Sequence, residues 1–150
     1  MRPSRRWSDD SGSASLEFIT AGLLLLVPIV YFVLALSAVQ AAALAVDGAA
    51  RQATRVFVQA ETPADAEAAA ARAIEVTLAD YGLAAMTPAV EVTCRPRPAT
   101  CLTRRGFVTI TIGMTVPLPL APPVLGPGLP VGVPVQATAT EQVSRFWGAG

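Results

Sequence analysis

Histidine and lysine are both absent from this 150-residue chain, and cysteine occurs only twice. Without histidine there is no imidazole general base, no histidine-dependent catalytic triad and no histidine metal ligand. Two cysteines, Cys94 and Cys101, are too few for a cysteine-only zinc site. No nucleophile-and-base spacing compensates: Asp65 and Glu67 read as first-turn helix charges, and the threonine-rich strand faces as solvated sheet. The chain is therefore not expected to be an enzyme, nor to carry a cofactor or metal. Eleven arginines face eleven acids, so the formal net charge is zero, and no global field favours nucleic acid as a partner.

Charge is missing altogether from Phe18 to Val46. About 20 apolar residues suffice for a helix to cross a bilayer core, so this run reads as a retained transmembrane helix in contact with lipid. A cleaved secretory signal, with Ala43-Leu44-Ala45 as an A-x-A-like site, is the alternative. Its apolar core would be shorter, roughly 7–15 residues. Arg2, Arg5 and Arg6 precede the run and no basic cluster follows it closely. The positive-inside rule then places the N-terminus in the cytoplasm and the rest outside, as a single pass in the plasma membrane. Two cysteines in the exterior part suit an oxidising compartment.

Three segments are expected: a cytoplasmic leader over 1–12, a transmembrane helix with its extracytoplasmic extension over 13–60, and an extracytoplasmic α+β domain over 61–150. In the extension, Val46, Ala49, Ala50, Ala53, Val56 and Phe57 recur at helical spacing between polar residues. Pro28 lies inside the apolar run, where a membrane helix accommodates it. Thr62 reads as an N-cap with Pro63 at the first helical position. The helix that follows spans about 63–81, with Ala70, Ile74, Leu78 and Tyr81 on one face and Gly82 as its stop. Beyond it the period becomes two. Strands are expected at about 90–94, 107–116 and 131–145, forming a small antiparallel sheet with one apolar face for helices to cover. The segment "PLPLAPPVLGPGLP" has six prolines in 14 residues and reads as a loop. A disulfide between Cys94 and Cys101 would close a short loop at the base of a hairpin; a redox pair or free thiols is the other reading, though the spacing is not C-x-x-C.

Glu17 stands at the doorstep of the apolar run. One reading is a carboxylate meeting the positive end of the helix dipole. Its surroundings suggest more: basic residues, then Gly12, then small Ser13, Ala14 and Ser15. An acid at a membrane boundary is costly unless paired, which makes it a functional hypothesis. The stretch "SGSASLEFITAGLLLLVPI" resembles a class III, prepilin-type signal, and is more closely similar to the TadE/TadG-like pseudopilins of tight-adherence (Flp-type) pilus systems. Gly12, Ser13, Glu17, Phe18, Pro28 and "DGAARQATR" at 47–55 carry the resemblance, and the later strands, the cysteine pair and "ATATEQVSRF" fit it.

That resemblance implies a membrane-anchored minor pilin or pseudopilin acting structurally in pilus biogenesis. A prepilin peptidase would cut after Gly12, Ser13 would become the new N-terminus, and Glu17 with Phe18 would serve assembly with other pilin-like subunits and the pilus machinery. Major pilins of such systems typically have tyrosine after the glutamate, and this chain has Phe18. The metal-binding D-x-S-x-S motif of longer TadG-like relatives is absent. The competing expectation is a single-pass, membrane-anchored extracellular adhesion or scaffold module that is never processed.

Overall fold

The computed structural model describes residues 13–119 and 132–148. The leader and most of the proline-rich segment expected to be a loop lie outside the described residues. The architecture is α+β: helix α1 (Ser13–Gln59), helix α2 (Pro63–Asp80) and strands β1 (Ala89–Arg95), β2 (Phe107–Pro117) and β3 (Gly132–Gln142). The chain divides into two compact units, Met1–Leu36 and Ser37–Gly150, and α1 contributes to both.

In the first unit the described residues are helical, and α1 is long and apolar enough to cross a membrane. Its apolar side chains are exposed around the whole helix, among them Leu16, Phe18, Leu24, Leu25 and Phe32. Such a surface is stable in lipid, where helix formation satisfies every backbone polar group internally.

In the second unit the same helix becomes one-sided. Ala42, Ala45, Val46, Ala49, Ala50, Ala53 and Phe57 are buried, whereas Arg51, Gln52 and Arg55 are exposed. Residues 37–59 thus belong to the folded unit as core material, a role beyond extending a membrane span. Thr54 is fully buried within this apolar face. Its hydroxyl donates to the Ala50 carbonyl at 2.6 Å, which removes the penalty of an unpaired polar group.

α2 starts where capping chemistry favours it. The Thr62 hydroxyl oxygen accepts from the Asp65 N–H at 3.1 Å and its hydroxyl donates to the Asp65 carboxylate at 2.7 Å; Pro63 supplies a preset φ at the first position. The helix buries Ala66, Ala70, Ile74 and Leu78. Tyr81, expected on that face, is 46% exposed. It caps the helix at φ −96°, ψ 9°, so its side chain leaves the helical stripe. Leu83 replaces it against the core, its N–H bonded to the Leu78 carbonyl at 2.9 Å.

The three strands form one antiparallel sheet in the order β1-β2-β3. Val108, Ile110, Ile112, Met114 and Val116 of the central strand point into the core, as their alternation predicts. The opposite face carries a threonine ladder. The Thr109 and Thr140 hydroxyls lie 2.8 Å apart, those of Thr111 and Thr138 3.1 Å apart. Buried side chains from α1, α2 and all three strands join in a single core.

Candidate functional site

The residues singled out by the sequence fall in separate parts of the chain. Gly12 lies outside the described residues. Ser13 is the first residue of α1. Glu17 is exposed one turn further on, flanked by Leu16 at 68% and Phe18 at 80% exposure. Among the described residues Glu17 has no ion-pair partner; the ion pair there joins Arg51 and Asp47 at 2.9 Å on adjacent turns of α1. The Thr20 hydroxyl donates to the Leu16 carbonyl at 2.7 Å, so it is engaged with the helix backbone. Glu17 is also the sole charged residue between Ser13 and Val46. A charge so placed is costly in an apolar medium unless it is paired.

Cys94 and Cys101 belong to the second unit and form a disulfide, with Cα atoms 5.1 Å apart. Cys94 ends the core-facing side of β1, opposite Val108, and is buried. The covalent link closes the β1–β2 connection beside Leu102, which is itself buried. A structural staple is what this position provides: it holds the connection against the core end of the sheet.

The same end carries contacts that sequence patterns did not reveal. The indole N–H of Trp147 donates to the Ala60 carbonyl at 2.8 Å, tying the C-terminal turn to the α1–α2 connection. Arg104 donates to the Trp147 carbonyl at 2.8 Å and to the Gly148 carbonyl at 3.3 Å. Arg105 N–H and Val143 N–H donate to the Val143 and Gly106 carbonyls at 3.1 and 2.8 Å. Trp147 itself was the available signal, since an indole N–H that is partly buried usually finds an acceptor. At the opposite end of α2 an apolar groove of about 240 Å³ opens between α2 and β1, lined by Ile74, Leu78, Leu83, Met86 and Val90 with Glu75 at its rim.

No group of three His, Cys, Asp or Glu side chains suited to a metal occurs among the described residues. Compared with protein-family models, curated proteins and solved structures, the chain matches none. The class defined by the fold is a disulfide-stapled α+β unit whose first helix begins as an apolar segment able to cross a bilayer.

Proposed function

We propose that the chain is a membrane-anchored minor pilin or pseudopilin of a tight-adherence type assembly, cut after Gly12 by a prepilin peptidase. The second unit then lies outside the cytoplasm, and the role is structural. The observation that carries this reading is the isolation of Glu17: one exposed carboxylate in the first turns of a helix that has no other charged residue out to Val46. Cleavage after Gly12 would create an α-amine at Ser13. Neighbouring copies or related subunits side by side in the membrane would then pair the amine of one with Glu17 of the next. Each charge suffers desolvation near lipid, and pairing relieves both.

Two substitutions separate processing from assembly. Gly12→Val puts a branched side chain where a protease must approach the backbone, and full-length precursor is expected to accumulate on immunoblots. Glu17→Gln keeps the size and removes the charge. It is expected to be cut yet to lose co-purification with its pilin-like partners. If Glu17 served only the helix dipole, its loss would cost about 0.3–1 kcal/mol of helix stability and co-purification would persist. That outcome would retire the assembly role.

A further inference from the structure

The two ends of the second unit carry complementary chemistry. One end holds the disulfide loop, the C-terminal turn and the α1–α2 connection, joined by the Trp147 and Arg104 hydrogen bonds. Five exposed arginines cluster in its segments: Arg95, Arg97, Arg104, Arg105 and Arg145. None of them forms an ion pair among the described residues. Phe146 projects there at 66% exposure, with the Arg145 guanidinium 4.6 Å from its ring centre. This is an exposed apolar knob with one guanidinium over its ring. Glu61, Asp65 and Glu141 are the acids near that end in sequence and register.

The other end is the reverse. α2 has 18 residues, about 27 Å at 1.5 Å per residue, and its C-terminal half forms one wall of the apolar groove. The groove measures about 240 Å³, ample for a phenyl ring. Glu75 lines it, Asp80 stands on the following turn, and both are exposed. Val90, on the core-facing side of β1, remains 46% exposed because α2 stands off from the edge strand here.

The geometry points to head-to-tail docking between copies of this chain, with Phe146 of one copy seated in the α2–β1 groove of the next and Arg145 facing Glu75 or Asp80. Knob and groove lie at opposite ends, so a knob cannot reach its own groove. The contact is heterologous, and successive copies join head to tail. A single ring in a groove falls well short of the roughly 1,200–2,000 Å² of stable complexes. The association is therefore weak in solution and gains effect where copies are concentrated. This inference goes beyond the anchoring and processing reading and would stand if Gly12 were never cut.

The absence of lysine supplies a clean test. Arg145→Lys introduces the chain's single side-chain amine at an exposed position that keeps its cation over Phe146. Purified full-length protein in detergent micelles, as a mixture of isotope-labelled and unlabelled copies, is treated with a carbodiimide. The expected product is a mixed-isotope dimer in which the new amine at position 145 is amide-linked to Glu75 or Asp80. Adding Phe146→Ala is expected to lower its yield about tenfold, since burial of the ring is what seats the knob. Dimer absent, links confined to Glu61, Asp65 or Glu141, or a yield indifferent to Phe146→Ala would each overturn the docking. None of these outcomes depends on processing, so they leave the pseudopilin reading to its own tests.

Discussion

Gly82 ends α2 at φ +73°, where its N–H bonds the Ala79 carbonyl at 2.9 Å and the next N–H, from Leu83, reaches back to Leu78. That pair of bonds is a Schellman stop, and it needs a residue that tolerates the left-handed region. A Cβ at this position would meet nothing within 4 Å. Gly82→Ala therefore isolates the backbone term, and a loss of about 1–2 kcal/mol in chemical denaturation is expected. An unchanged midpoint would mean that α2 ends differently. The stop itself was readable in the sequence, because glycine after an apolar 3–4 pattern has a mechanism. The fate of Tyr81 was not: spacing alone put it on the buried stripe, and only the cap dihedrals turn it out and bring Leu83 in. Glu17 was legible for the opposite reason, since a lone charge in an apolar run stands out by composition alone.

Among the elements, β2 illustrates what alternation can tell. Its period-two pattern marks a central strand, and all five of its inward residues are buried. β1 has the same alternation, yet Val90 and Val92 stay 46% and 41% exposed. Period fixes which face a residue takes, while cover depends on where the helices settle, and that is a tertiary outcome. The disulfide acts mainly by constraining the unfolded chain, and the short β1–β2 connection keeps that gain small. Replacing Cys94 and Cys101 together by serine is expected to cost about 2 kcal/mol, read as a lower denaturation midpoint. A shift near zero would show that Leu102 and the strand ladder hold this end without the bond.

For the whole molecule, the division into an exposed apolar helix and a mixed α+β unit follows from composition: a charge-free run first, then elements with two periods. The partition within α1 was harder to see. Alanines at 42, 45, 49, 50 and 53 suit a helix extending from a membrane as well as they suit a core, and only the sheet packed against them decides. The contacts that clamp Trp147, Arg104 and Ala60 join residues more than 40 positions apart, beyond the reach of local pattern. The central claim, that this helix is delivered to an assembly by cleavage at its cytoplasmic edge, is tested most directly by the mass of the mature chain. Intact mass spectrometry is to be run on protein extracted from membranes of a host with an active prepilin peptidase. The account predicts a chain beginning at Ser13, with residues 1–12 gone and the C-terminus unchanged. A chain retaining Met1–Gly12 in that host would contradict it and leave an unprocessed anchor.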